Sequence, residues 1–187
     1  QTVKTTVANA LSGRSGNVLD LACGSGTLAV LIKQMYPSLA VHGVDGDPEM
    51  LGRAQRKAAA VGVEVNFKHG LADALPYDDA SFDAVVSFET LEHIAAQEVF
   101  LDEVRRVLRP AGLLVLSCPN KVEYTDKRGV PNEFHVRELY RDELAALINA
   151  HFPHSAWYGQ RPSFYSVVWP ERRAASGEIF EVGEAPA

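Results

Sequence analysis

Val18-Leu19-Asp20-Leu21-Ala22-Cys23-Gly24-Ser25-Gly26-Thr27-Leu28-Ala29 is the stretch whose reading decides the fold. A short apolar run reads as a buried strand. It carries an acid, passes into a turn of small residues and leads into helix-compatible sequence. Gly24 and Gly26 let the backbone take tight angles and approach a ligand closely. The helix expected from about Thr27 presents unpaired N–H groups and a positive dipole end. Those parts make a nucleotide pocket at the carboxyl end of a first parallel strand.

Working outward, strands alternate with helical patterns. Val3, Val7, Ala10 and Leu11 fall on one face of a helix expected over Thr2 to Leu11, and Ser12 to Gly16 is a turn. Leu28 to Tyr36 reads as a helix stopped before Pro37, and Leu39 to Val44 as a second strand ending in Asp45. A helix starts at Pro48-Glu49 and runs to Gly62, and Val63 to Phe67 is a third strand. Phe82 to Phe88 is a fourth strand. Gln97 to Leu108 is an amphipathic helix broken by Pro110-Ala111-Gly112, and Leu113 to Ser117 is a fifth strand. After a polar loop, Arg141 to His151 is a helix. Aromatic-rich runs around Trp157 and over Phe164 to Trp169 read as closing strands. The alternation implies βαβ units with right-handed crossovers in one domain over residues 1–170, and the tail, 171–187, is expected to be mobile.

The chain has 187 residues, enough for one sizeable core. Its net charge of −6 disfavours nucleic acid as a partner, because phosphate neutralisation needs clustered Lys and Arg. Cys23 and Cys118 are too few for a disulfide framework and are expected as reduced, buried thiols. No apolar run approaches ~20 residues, so no membrane span is expected. The absence of a secretory signal makes cytoplasmic the expected location. The first residue is Gln1 rather than Met, which fits a domain cut from a longer protein.

Gly24-x-Gly26-x-x-Ala29 satisfies the dinucleotide pattern, with Asp45 placed to bind a ribose. Asp20 argues against a pyrophosphate, which it would repel, and suits a cationic group such as an amino-acid ammonium. Asp73-Ala74-Leu75-Pro76 follows the third strand, where an acid can accept from an adenine amine. These motifs, with Gly43-Val44-Asp45, Ser81-Phe82-Asp83-Ala84-Val85-Val86 and Leu108-Arg109-Pro110-Ala111-Gly112-Leu113-Leu114, resemble a class I S-adenosylmethionine-dependent methyltransferase from about Val18 to His151. The resemblance implies a Rossmann-like, doubly wound α/β fold. Its sheet would have seven mostly parallel strands, helices on both faces and an antiparallel last strand. It further implies S-adenosylmethionine contacts at Asp20, Ala22, Gly24, Gly26, Asp45, Gly46, Met50, Ala72, Asp73, Ala74, Phe88 and Glu89. Ala111 departs from the glycine usual in the family.

A second constellation follows the fourth strand. In Glu89-Thr90-Leu91-Glu92-His93, a helical turn would put Glu89, Glu92 and His93 on one face. Two carboxylates and an imidazole so close need a cation or proton between them. The E-x-x-E-H pattern resembles the metal-dependent branch of these enzymes, which includes ubiquinone-biosynthesis O-methyltransferases and small-RNA 2′-O-methyltransferases. With His135 from the later loop, the resemblance implies a divalent site (Mg or similar) at Glu89, Glu92, His93 and His135. In the metal-free reading, Glu89 lines the donor pocket, Glu92 holds the helix start, and His93 or His135 is general base. His135 could equally pack within a lid.

Cys118-Pro119-Asn120 and Glu133-Phe134-His135-Val136-Arg137-Glu138-Leu139 further resemble bacterial methyltransferases of glycan pathways. The expected reaction is O-methylation of a sugar or other small-molecule hydroxyl, with Tyr124, Asn132, His135 and Arg137 near the acceptor. The competing readings are RNA 2′-O-methylation, a non-catalytic cofactor-binding module and an NAD-dependent oxidoreductase.

Overall fold

A computed structural model describes residues 7, 10–13, 15–161 and 167–170. Five strands form one parallel sheet: β1 (Asn17–Leu21), β2 (Ala40–Asp45), β3 (Asn66–His69), β4 (Phe82–Phe88) and β5 (Leu108–Ser117). Their order is β3-β2-β1-β4-β5. From β1 the chain winds to one edge, then returns to build β4 and β5 on the other side. The crevice outside the carboxyl ends of β1 and β4 is therefore the place where a ligand can enter between diverging connections.

Helices cover both faces, which is why the strands are apolar on both sides. Helix α1 (Thr27–Met35) places Ala29 and Ile32 against Val18, Val41, Ala84 and Val86, and Val7 and Leu11 join the same cluster. On the opposite face, α3 (Gln97–Val107) packs Phe100, Leu101 and Val104 on Leu19, Leu21, Phe82 and Val85. Helix α4 (Arg141–His151) adds Ile148 there. Each such side chain contributes about 1.5–3 kcal/mol by leaving water. Helix α2 (Pro48–Ala60) starts as its sequence suggests: the Asp47 side chain accepts from the Glu49 N–H, and Pro48 occupies a position that needs no donor.

Three sequence expectations are corrected. The third strand lies later than Val63–Phe67, because Gly62, at φ 68°, ends α2 and Val63 still hydrogen-bonds back to Ala58. Pro110-Ala111-Gly112 is not a break before the fifth strand. It is an irregularity inside β5, whose register against β4 shifts between Phe82 and Ala84. Arg109 holds that irregularity from below, donating to Asp83 and to the Ala80 carbonyl.

The seven-stranded sheet is, among the described residues, five parallel strands. The last two strands, β6 (Tyr158–Arg161) and β7 (Val167–Pro170), pair antiparallel with each other in a separate two-stranded sheet. Only residues 162–166 separate them, so closing the local pair costs less entropy than joining a distant edge. Of the expected helix over Thr2 to Leu11, Val7, Ala10 and Leu11 are described and helical. The rest of it, Phe164 and the tail 171–187 lie outside the described residues.

Ala111 has φ 63°, a left-handed conformation that costs an L-residue about 1–2 kcal/mol. Its side chain is exposed, so little packing offsets that strain. The variant A111G is expected to gain about 0.5–1 kcal/mol after the entropic penalty of glycine. Urea unfolding measures it; a loss of stability would show that the strain is relieved elsewhere.

Candidate active site

The glycine loop is held from below by two carboxylates. Gly26, the residue before α1, is left-handed at φ 73° and has no side chain to cap the helix. Asp20, on β1 and 3 % exposed, does so instead: its Oδ2 accepts from the Ala29 N–H at 2.9 Å. Asp45, at the end of β2, accepts from the Gly24 N–H at 2.7 Å through Oδ2 and from the Asp47 N–H at 2.9 Å through Oδ1. A side chain at position 26 would meet Ala54 Cβ at 2.6 Å and Phe67 at 2.9 Å. Here glycine is required by close approach as well as by backbone angle.

Above the loop lies an open cleft of about 290 Å³, lined by Ala22, Asp45, Gly46, Leu71, Ala72, Glu89, Thr90, His93 and Ile94. Ala22 and Glu89 immediately follow the neighbouring strands β1 and β4, and both are left-handed, at φ 57° and 52°. Non-glycine residues persist there only when the surroundings hold them, a pattern that gathers at functional sites. Acidic groups dominate the charged lining, so the cleft favours a cationic ligand.

Of the residues expected to contact the cofactor, Ala22, Asp45, Gly46, Ala72 and Glu89 line this cleft. Asp20, Gly24, Gly26, Met50, Asp73, Ala74 and Phe88 do not line it. Asp20 is under the loop, and Gly24 and Gly26 shape the loop. Asp73 is exposed on a turn closed by Ala74 N–H to the Leu71 carbonyl. Leu71, Thr90 and Ile94 were missed. Leu71, 58 % exposed beside Ala72, carried a signal: a large apolar residue in a turn of small residues and one acid.

The acid-rich turn differs from the expected helix face. A 3-10 turn covers only Leu91–His93, and Glu89 precedes it in its left-handed conformation. Glu89 Oε1 accepts from the Ser117 hydroxyl at 2.6 Å. Glu92, His93 and His135 converge, with one donor atom from each lying within 4.8 Å of the others, and Glu89 is not in that group. Of the four residues in the implied ligand set, three converge, because the left-handed turn carries Glu89 to β5.

Each member of the trio is fixed by the loop between β5 and α4. His93 Nδ1 faces the Phe134 carbonyl at 2.7 Å, so Nδ1 carries the proton and Nε2 the lone pair. The Glu92 carbonyl accepts from Val136 and Arg137, while buried Gln97 donates to the Leu91 and Arg137 carbonyls. Glu92 is 2 % exposed and its Oε2 has no partner among the described residues. Burial pushes its carboxyl above the usual range, and Glu89 adds to this while His93 and His135 oppose it.

Both cysteines are free, and burial pushes each thiol up to about 12, which keeps them protonated and inert. Trp157 packs partly buried against the core, under the Arg141 guanidinium at 3.9 Å. His42 sits edge-on to Tyr77 and Phe82, a packing role. No helix among the described residues is long and apolar enough to cross a membrane.

Residues 18–112 match a family described as a methyltransferase domain. A Mycolicibacterium smegmatis protein, named a probable S-adenosylmethionine-dependent methyltransferase, is 36 % identical over 143 residues, 76 % of this chain and 52 % of that protein. The demethylmenaquinone methyltransferase of Thermus thermophilus is 44 % identical over 107 residues, covering 57 % of this chain and 49 % of its own. The chain spans about half the length of these curated relatives. Among solved structures, the YcgJ protein of Bacillus subtilis superposes with a TM-score of 0.70 at 26 % identity, covering 84 % of this chain and 69 % of its own.

The buried brace under the loop has a pH signature. Burial pushes Asp20 up to about 7, with the Ala29 N–H opposing and the Asp45 charge adding to the rise. The folded chain thus keeps a proton that the unfolded chain releases near pH 3.8. Stability from this group falls as pH rises through that window. The stability of the wild type minus that of D20N is expected to fall by up to roughly 1.4 kcal/mol per pH unit from about pH 4 to about pH 7, then level off. Urea melts across that range measure it; parallel curves for the two proteins would contradict it.

Proposed function

The chain belongs to the methyltransferase domain family, and from that premise we propose that it moves the methyl group of S-adenosylmethionine to a hydroxyl oxygen of a small-molecule acceptor, a sugar or a molecule of similar size. The donor is a sulfonium with an ammonium-bearing tail, and the charged lining of the cleft, Asp45 and Glu89 with Glu92 behind it, suits that positive charge. Asp45 keeps a lone pair on each oxygen beyond its two backbone donors, enough to accept from ribose hydroxyls. An acidic cleft repels the pyrophosphate of a dinucleotide, so the NAD reading loses support.

The observation that carries the oxygen acceptor is His93. Its imidazole lines the cleft, and the Phe134 carbonyl holds the proton on Nδ1. Nε2 can therefore take a proton from a hydroxyl positioned beside the donor. As the acceptor oxygen forms its bond to the methyl carbon, the carbon–sulfur bond breaks and its electron pair stays on sulfur as a thioether. The hydroxyl proton passes to His93 Nε2. The protein supplies alignment and a proton acceptor.

In a second reading, Glu92, His93 and His135 fit a divalent cation, which would take the His93 Nε2 lone pair in place of the hydroxyl proton. Their donor atoms converge, and the partnerless buried Oε2 of Glu92 is the kind of group a cation satisfies. When bound there, the ion would lower the pKa of an acceptor hydroxyl. The oxygen-rich preference of Mg²⁺ fits less well than an ion tolerant of imidazole.

Isothermal calorimetry is expected to show S-adenosylhomocysteine binding and NAD not binding. Removing the ribose acceptor in D45A should weaken S-adenosylhomocysteine at least ~10-fold, the scale of a charged hydrogen bond. NAD binding in preference to S-adenosylhomocysteine would overturn the reading. For the cation, methyl transfer to a panel of sugar and phenolic acceptors should be lost in EDTA and restored by Mn²⁺; undiminished transfer in EDTA would remove the ion and leave His93 as the base.

A further inference from the structure

His135 is bracketed on both ring nitrogens by side chains that dictate where its proton sits. Its Nδ1 lies 2.5 Å from Glu138 Oε1, and the two side chains are 6 % and 7 % exposed. Its Nε2 lies 3.1 Å from Asn132 Nδ2. The Asn132 amide has one orientation open to it, because its Oδ1 accepts from the Phe134 N–H at 3.0 Å. Nδ2 must therefore be the end that faces His135, and it also donates to the Tyr124 hydroxyl at 3.1 Å. An amide N–H can only donate, so Nε2 is the acceptor. A carboxylate can only accept, so Nδ1 carries the hydrogen. The Tyr124 ring, stacked on the imidazole at 4.9 Å, and the edge contact with His93 at 5.0 Å fix the ring plane.

We propose that Glu138 is a positioning residue which, together with Asn132, holds His135 as its Nδ1–H tautomer, leaving Nε2 as the nitrogen that bears the lone pair. Either use of His135, as a cation ligand or as a second proton acceptor, needs an oriented ring and an Nε2 lone pair that exchanges the Asn132 N–H for the ion or proton. Glu138 fixes the ring and the tautomer through one hydrogen bond. A merely structural loop contact would not need a nearly buried carboxylate on one nitrogen and an oriented amide on the other. The use of His135 in methyl transfer rests on the reading above; the tautomer does not.

Long-range proton–nitrogen NMR on metal-free protein labelled with ¹⁵N-histidine tests this without an acceptor. In the wild type, His135 should show a protonated Nδ1 and an unprotonated Nε2. E138Q should keep that pattern, since the amide oxygen can still accept, and E138A should shift it toward a mixture of tautomers. By calorimetry with Mn²⁺, E138A should bind ~10–100-fold more weakly than the wild type, with less than ~2-fold change for S-adenosylhomocysteine. A wild-type Nε2–H tautomer, or an E138A spectrum unchanged from wild type, would overturn the proposal. The stated tautomer without any Mn²⁺ uptake would support the positioning role and remove the cation from the proposed function.

Discussion

The hydrogen bond from the Ala29 N–H to the buried Asp20 carboxylate is the contact on which the rest of this structure depends. A helix that begins after a left-handed glycine has no cap of its own. Here the cap comes from the preceding strand, so β1, the loop and α1 are joined into one rigid corner. Asp45 joins the same corner from β2 by accepting from Gly24. The loop can then stand as the floor of a cleft, and one of the carboxylates that braces it also lines that cleft. Asp45 thus both braces the loop and lines the cleft, whereas Asp20 braces it from beneath.

The cluster of Glu92, His93 and His135 beside the cleft is assembled across a long sequence distance. Glu92 and His93 follow β4, and His135 lies more than forty residues later. The connection is made by backbone groups: the Glu92 carbonyl receives Val136 and Arg137, and Gln97 ties together the Leu91 and Arg137 carbonyls. These contacts use the loop's main chain rather than its side chains. The exposed Phe134 and Val136 sit on that same segment.

Elements whose signal is local were legible in the sequence. Phe82–Phe88 and Arg141–His151 were read to the residue, since apolar run and helix period are short-range patterns. Pro48 was legible as a helix start. The start of β3 was not, because Val63 and Val65 look like strand residues but lie in the connection after Gly62. The role of Asp20 was also hidden. An acid before a glycine loop can face ligand or backbone, and only the burial of its carboxylate shows that it faces Ala29. Glu89 was grouped with Glu92 and His93 by helical spacing, which a single left-handed residue defeats. His135 was recognised from the residues around it, while Glu138, three positions on, carried no signal of its own until the loop placed it on Nδ1.

The proposed methyl-donor pocket lies at the carboxyl ends of β1, β2 and β4. A crystal structure with S-adenosylhomocysteine tests it most directly. It should show the ribose hydroxyls hydrogen-bonded to the Asp45 carboxylate, the adenine beside Leu71 and Ala72, and the sulfur on the side of Glu89 and His93. A ligand bound elsewhere, or seated with Asp45 turned away from the ribose, would contradict the account.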